Sequence, residues 1–439
     1  MINDVNESSL QSTVQNSTGT RFSSESYSST NRIFQNVTFN QDGSCFCCIK
    51  ATKDGTCRLQ VFDTFPLKLK LDKHLGNSSS MKTLLRAQVY HRSNLILMLC
   101  DPRENSQQES LSKTVLSPKY TFNVWDDAAG VVVYEAHDIL NFFVSNKKNQ
   151  FLLLTADLKV RNFKIRSDRI KEFGMPEIIC MNEHLDFKKQ LLALPSAKKV
   201  GQVQLFKVPL DNNDSHTTME MGVFKAHKTS ILNLKTSNNA NYIATCSIKG
   251  TLLRIFLISY SKSTISANLL CEFKRGLEPA TVYEMQWSPD DSRIACISNK
   301  NTLHIFQLPD ANIQGLSNLE ESQMIPEPKK LGEQKTQSDG RRKSVGETQE
   351  KKKTIKETLR TSICSIRPKV TVIGDRCKIN WHDRDTLYVV WIQAGVWEKY
   401  IIQKTDKGYS IRYRVPFCTH KICFFFFFSF QQKSEMLLD

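Results

Sequence analysis

Short apolar runs recur along this chain in groups, and the groups return about every 40 to 50 residues, a spacing that points to a closed array of small sheets. Two adjacent groups carry the pattern most clearly. The first runs from His227 to Leu232, then Asn241 to Ser247, then Gly250 to Phe256. The second runs from Tyr283 to Pro289, then Ser292 to Ser298, then Asn301 to Phe306. Each reads as strand, turn, strand, turn, strand, because Val, Ile, Leu, Phe and Cys alternate with Asn, Asp, Gly and Lys punctuation. Weaker copies end in Leu59 to Asp63, Phe122 to Asp126, Val160 to Phe163 and Val203 to Phe206, and a last copy spans Leu387 to Ile402. No long segment between them places apolar residues at helical spacing. At roughly 45 residues per four-stranded unit, seven units fill the chain, one long insert aside. The expectation is an all-β, WD-repeat-like β-propeller of seven blades over residues 31–405.

Composition shifts mark what lies outside the blades. Residues 1–30 are dominated by Ser, Thr, Asn and Gln, too polar to offset ordering entropy by burial, so a disordered N-terminal arm is expected. Residues 309–365 form a long, charged insert in the sixth unit, read as a loop. Its stretch 329–360 holds eleven Lys or Arg against five Asp or Glu. Residues 406–439, with the run Phe424 to Phe428, are read as an unstructured tail. Over the whole chain 60 Lys and Arg face 44 Asp and Glu, a formal charge of +16, so an anionic partner is expected: lipid, nucleic acid or acidic protein. The apolar run Cys423 to Phe430 is about half the ~17 residues that a membrane-spanning helix needs. Any membrane contact is therefore expected to be peripheral. Thirteen scattered cysteines and no signal-like opening suggest a cytoplasmic protein with reduced thiols.

The residues that bear chemistry gather around Phe273-Lys274-Arg275-Gly276, between the two clearest units. Successive strand residues point to opposite faces, so Lys274 and Arg275 can serve two pockets, one on either side of a blade. Phosphate recognition wants a cation and neutral donors together. Flanking strand ends supply them: Thr245, Ser247, Gly250, Thr251 and Arg254 before the dipeptide, and Ser298, Thr302 and His304 after it.

This segment resembles the hallmark of the PROPPIN family, the WIPI-like phosphoinositide-binding β-propellers of autophagy, in which Phe-Arg-Arg-Gly or Leu-Arg-Arg-Gly stands at this place. The resemblance spans about residues 34–404 and includes Leu192 to Pro195, Gly201 to Phe206 and the sixth-unit insert. Ala280 to Tyr283 and Asn123 to Asp127 are similar to the homologue-of-swollen-vacuole subgroup. The resemblance implies two head-group sites. Thr245, Ser247, Gly250, Thr251, Arg254 and Lys274 form the first, and Arg275, Gly276, Ser298, Thr302 and His304 the second. Lys274 stands where the family usually has Arg, which keeps the charge and loses the planar fork. The resemblance also implies recruitment of autophagy proteins of the lipid-transfer or conjugation machinery by the opposite rim, around blades two and three. Expected ligands are phosphatidylinositol 3-phosphate and 3,5-bisphosphate on preautophagosomal, endosomal or vacuolar membranes. The equivalent loop inserts into bilayers in the family; here its charge favours electrostatic adsorption, at about 1 kcal/mol per basic residue near an anionic leaflet. Arg341-Arg342-Lys343-Ser344 within it resembles a basophilic kinase site.

Other signals point to structure. Cys45, Cys47, Cys48 and Cys57 lack a second ligand pair at zinc-finger spacing and read as buried thiols. No nucleophile elbow, phosphate loop or His-Glu-x-x-His helix is present, so a non-enzymatic protein without cofactor or metal is expected. His382-Asp383 reads as a turn. A closed propeller needs no second copy, so a monomer is expected. The rival readings are a generic WD-repeat protein scaffold and a nucleic-acid binder; the favoured reading takes no nucleic acid.

Overall fold

The computed structural model describes residues 34–418 except 53–55, 76–82, 102–118, 147–148, 167–168, 176, 181–183, 210–220, 262–263, 310–358, 368–373 and 407. The N-terminal arm, nearly all of the insert with its kinase-like motif, and the Phe-rich run lie outside the described residues. Every regular element among the described residues is a strand.

The strands follow the repeat. Blade one is β1 (Asn36–Phe39), β2 (Cys45–Ala51), β3 (Cys57–Asp63) and β4 (Lys68–Leu75). Blade two is β5 (Thr83–Val89), β6 (Leu95–Asp101), β7 (Tyr120–Asp126) and the first half of β8 (Val131–Val144). The second half of β8, with β9 (Gln150–Thr155), β10 (Val160–Ile165) and β11 (Ile170–Phe173), makes blade three, so these two blades share one seven-stranded sheet. Asp138 is the corner: it takes φ 58°, residues Val131 to Ala136 pair β7, Ile139 pairs both β7 and β9, and residues from Asn141 pair β9 alone. Blade four is β12 (Asp186–Lys188), β13 (Leu191–Pro195), β14 (Gln202–Lys207) and β15 (Met221–Lys225). Blade five is β16 (Ile231–Thr236), β17 (Tyr242–Ser247), β18 (Leu252–Tyr260) and β19 (Ile265–Lys274). Blade six begins with β20 (Val282–Trp287), β21 (Arg293–Ser298) and β22 (Leu303–Gln307). After the insert come β23 (Leu359–Thr361) and β24 (Cys364–Ile366), then blade seven: β25 (Cys377–Trp381), β26 (Thr386–Trp391), β27 (Val396–Thr405) and β28 (Gly408–Cys418). The described strands thus sort into seven units of four, with β23 left over.

First strands of neighbouring blades pack side by side: β12 against β8 and β16, β16 against β20, β20 against β25, β25 against β1, and β1 against β5. The middle strands are buried on both faces, as β9, β21 and β26 are at every position, which is why they read as unbroken apolar runs. Blades interlock through repeated devices. The Trp287 indole donates to the Lys235 carbonyl at 2.9 Å, and one blade on the Trp381 indole donates to the Gln286 carbonyl at 2.9 Å. Phe34, Val37, Phe46 and Cys48 of the chain's start pack with Tyr388, Val390 and Trp397 of blade seven, so apolar burial closes the ring without a shared strand.

Two boundaries differ from those expected of the sequence. The propeller extends beyond Thr405, because β28 pairs with β27 from Val396↔Cys418 to Thr405↔Gly408; without it blade seven would expose an unpaired edge. The range read as loop contains β23 and β24. The latter pairs with β22 and completes blade six, whereas β23 runs parallel to β19 and adds a fifth strand to blade five. The thiols of Cys45, Cys47, Cys48 and Cys57 are buried and free, and burial pushes that of Cys45 up to about 12. His382 and Asp383 form the turn between β25 and β26, with Asp383 accepting from the Asp385 and Thr386 amides.

Candidate functional site

Strand register sorts the candidate residues into two grooves. Thr245 of β17 faces Arg254 of β18, which faces Glu272 of β19. Alternation places Ser247 and Lys274 on that same side of blade five. The opposite side carries Cys246, Leu253, Cys271 and Phe273, which pack with Cys296 and Phe306 of blade six. Arg275 continues this second side, and its charge bears on Cys246, Cys296 and His304. Register fixes Lys274, the last residue of β19, on the first side, and Arg275 follows just past the strand end.

The two grooves also share a turn. Ser247-Ile248-Lys249-Gly250-Thr251 links β17 to β18, and Ser298-Asn299-Lys300-Asn301-Thr302 links β21 to β22. In each, the Ser carbonyl accepts from the residue three on, Gly250 at 2.9 Å and Asn301 at 2.8 Å. That residue is left-handed in both, at φ 60° and 52°. Ser247 and Ser298 begin equivalent pairings, with Ile231 and Val282. Arg254 and His304 then occupy the same place one strand further, opposite Thr245 and Cys296. Lys249 and Lys300, both exposed, are thus a matched pair of cations that motif reading passed over. The repeated Ser-x-Lys-x-Thr spacing was the signal.

In the first groove Arg254 is held in place: its Nε donates to Glu272 Oε1 at 2.6 Å and Nη1 to the Ala226 carbonyl at 2.6 Å. Thr245 is fully buried, and its hydroxyl is hydrogen-bonded to His227 Nε2 at 2.9 Å. His227, another residue that the motifs did not mark as a ligand, is itself buried and engages the Thr245 hydroxyl. Lys274 makes no hydrogen bond or ion pair among the described residues and ends β19 beside Thr361 of β23.

The second groove differs from its expectation in one respect. Arg275 is only 7% exposed; its Nε donates to the Gly250 carbonyl and its Nη2 to the Glu278 carbonyl at 2.5 Å. Its backbone amide donates to the Thr251 carbonyl at 2.9 Å, and that of Gly276 to the same oxygen at 3.5 Å. The guanidinium thus clamps the Ser247–Thr251 turn to the loop that follows Arg275, as well as charging the groove. Ser298 is fully buried, Thr302 is partly buried, and Nδ1 of His304 is buried without a partner.

Both histidines are held neutral. Burial and the Arg254 charge lower His227 to about 4, and burial and the Arg275 charge lower His304 to about 4. A histidine depressed on folding costs stability in acid: the unfolded chain takes up its proton below about 6.5 while the folded one waits until about 4. Stability should therefore be flat above pH 6.5 and fall toward pH 4, by about 2 kcal/mol from His227 alone at pH 5. Thermal unfolding across pH 7.5 to 4.5 should show a shallower fall for His227→Gln than for the native chain; superimposable profiles would refute this.

Residues 219–253 match the family "WD domain, G-beta repeat". The chain is similar to SVP1-like protein 2 of Saccharomyces cerevisiae, 26% identical over 430 residues, covering 85% of this chain and 88% of that one. SVP1-like protein 2 of Pichia angusta is 27% identical over 394 residues, covering 86% and 93%. Among solved structures, Hsv2 of Kluyveromyces marxianus superposes with a TM-score of 0.60 at 20% identity, over 88% of this chain and 98% of that one. Atg21, solved with the coiled coil of Atg16, superposes at 0.54 with 14% identity, over 88% and 99%.

Proposed function

The chain belongs to the PROPPIN family of β-propellers, and from that premise we propose that it is a non-enzymatic phosphoinositide effector. The observation that supports this most directly is the matched pair of Ser-x-Lys-x-Thr turns, each opening on its own groove, with Lys274 and Arg275 divided between the grooves. Each groove offers hydroxyls, cations and a neutral histidine, a set suited to a phosphomonoester. Phosphatidylinositol 3-phosphate and 3,5-bisphosphate are the proposed ligands, on preautophagosomal, endosomal or vacuolar membranes. Two shallow sites on one rim act together by avidity, so modest single-site affinity suffices for membrane residence. The charged insert, which leaves blade six after Gln307, adds adsorption to an anionic leaflet.

The similarity to a propeller solved with a coiled coil supports a second element of the proposal: the bound protein recruits autophagy machinery through a helical partner. The alternative is a WD-repeat scaffold with a basic surface and no lipid ligand. Liposome flotation separates them. The native protein should float with vesicles carrying phosphatidylinositol 3-phosphate and float far less with phosphatidylserine vesicles of equal charge, to which the insert alone adsorbs. Equal flotation on both lipids would leave only the basic scaffold.

A further inference from the structure

The chain's return from the insert brings a cation to the second groove that no motif announced. Glu272 pairs with Leu359, Phe273 with Arg360 and Lys274 with Thr361, so β23 lies in parallel along the outer edge of blade five. Paired residues of neighbouring strands share a face. Arg360 therefore stands on the Phe273 side, the wall that blade six covers, and its charge bears on Cys271 of that same side.

Three observations distinguish Arg360 from an ordinary surface arginine. Its Nε is buried and has no hydrogen-bond partner. Its guanidinium makes no ion pair or hydrogen bond among the described residues. Nδ1 of His304, on the facing wall, is also buried and without a partner. One chain of neighbours connects the two orphaned groups: Arg360 pairs with Phe273, Phe273 lies 4.8 Å from Phe306, and His304 lies 6.1 Å from Phe306, centroid to centroid. A buried polar group with no partner costs more than a hydrogen bond returns. Arg275, the cation expected to neutralise phosphate here, already donates to two backbone carbonyls.

We propose that Arg360, delivered by β23, is the uncommitted cation of the second groove and binds the phosphomonoester of an inositol phosphate head group there together with His304. The inference rests on the phosphoinositide reading and adds to it a residue from the far end of the insert. It makes β23 part of the site: head-group occupancy would hold β23 to the edge of blade five, and β23 in turn supplies a ligand for the head group. Arg360 and the first groove's Lys274 then stand on opposite faces of adjacent strand ends.

The test uses the full chain, titrated with soluble inositol 1,3-bisphosphate and, separately, with phosphatidylinositol 3-phosphate vesicles, alongside thermal unfolding. Arg360→Met should weaken both interactions about tenfold, the loss of a charge-assisted hydrogen bond, while its unfolding temperature stays or rises because an unpartnered buried nitrogen has gone. Arg360→Lys should retain part of the affinity. The loss should shrink in a His304→Ala background and persist undiminished in a Lys274→Thr background. Native-like binding by Arg360→Met, with the native chain binding normally, overturns the assignment and spares the phosphoinositide reading. Loss on vesicles but not on the soluble head group also overturns it, since Arg360 would then serve general membrane charge. A fall in unfolding temperature that accounts for the loss makes Arg360 structural and overturns it. A native chain that binds neither probe overturns both readings.

Discussion

Lys274→Thr combined with Arg275→Thr leaves the protein at the bottom of a flotation gradient with phosphatidylinositol 3-phosphate vesicles. The two residues serve different grooves, so the double change disables both sites with one edit of two adjacent codons. Each charge-assisted bond is worth about 1.5–3 kcal/mol. Removing one site also removes the avidity, which multiplies the loss to roughly 10²-fold or more. The singles should not be equivalent. Lys274 has no partner among the described residues, so Lys274→Thr should lower binding and leave stability unchanged. Arg275 serves the Gly250 and Glu278 carbonyls, and its removal strands the buried Gly250 acceptor at about 1–3 kcal/mol. Arg275→Thr should therefore lose binding and stability together. Full flotation by the double variant, or equal destabilisation by the two singles, contradicts this division of labour. Charge-driven nucleic-acid binding predicts a different pattern, a steep salt dependence spread over many basic residues with no special weight on these two.

The parts of this architecture that are local could be read from residues alone. Tyr242 to Cys246 and Ile294 to Ile297 are apolar at nearly every step because both faces are covered, and the polar turns between them fix the repeat. Alternation likewise assigned Lys274 and Arg275 to opposite faces. What escaped reading is non-local. Nothing in Leu359-Arg360-Thr361, at the edge of a charged stretch, signals a strand; its partner lies some ninety residues earlier, and only the folded edge of β19 gives it a place. Arg275 could be assigned a face but not its two carbonyl partners, which come from turns on either side. The long strand β8 carries Glu135, His137 and Asp138 at its middle, so a blade boundary there looks like a loop, until Asp138 turns the corner within a continuous strand. Gly408 to Cys418 alternates Tyr, Ile, Tyr and Val like any outer strand, but its proximity to the Phe-rich run masked it.

Gly250→Ala should be the most damaging single-atom-scale change in the site. A Cβ at Gly250 would lie 1.7 Å from the Ala280 carbonyl oxygen and 2.9 Å from its carbon, and neither partner is free to yield. The Ala280 amide donates to the Lys249 carbonyl at 3.1 Å, the Gly250 amide donates to the Ser247 carbonyl at 2.9 Å, and Arg275 holds the Gly250 carbonyl. Left-handed backbone is only part of the reason for glycine here. The equivalent turn of blade six holds Asn301 at φ 52°, so a side chain tolerates that conformation in this fold. What Gly250 provides is the close approach of two backbones. Gly250→Asn should consequently fail as Gly250→Ala does, by about 3–5 kcal/mol from the overlap and the disturbed Arg275 clamp, which for a domain of this size lowers the unfolding temperature by roughly 5 °C. Asn301→Gly should cost far less. Because the Gly250 carbonyl seats Arg275 and the turn carries Lys249 and Thr251, both grooves should lose head-group affinity along with stability. A Gly250→Asn chain that unfolds with the native one would show that conformation alone selects glycine, and that the approach of Ala280 does not constrain the turn.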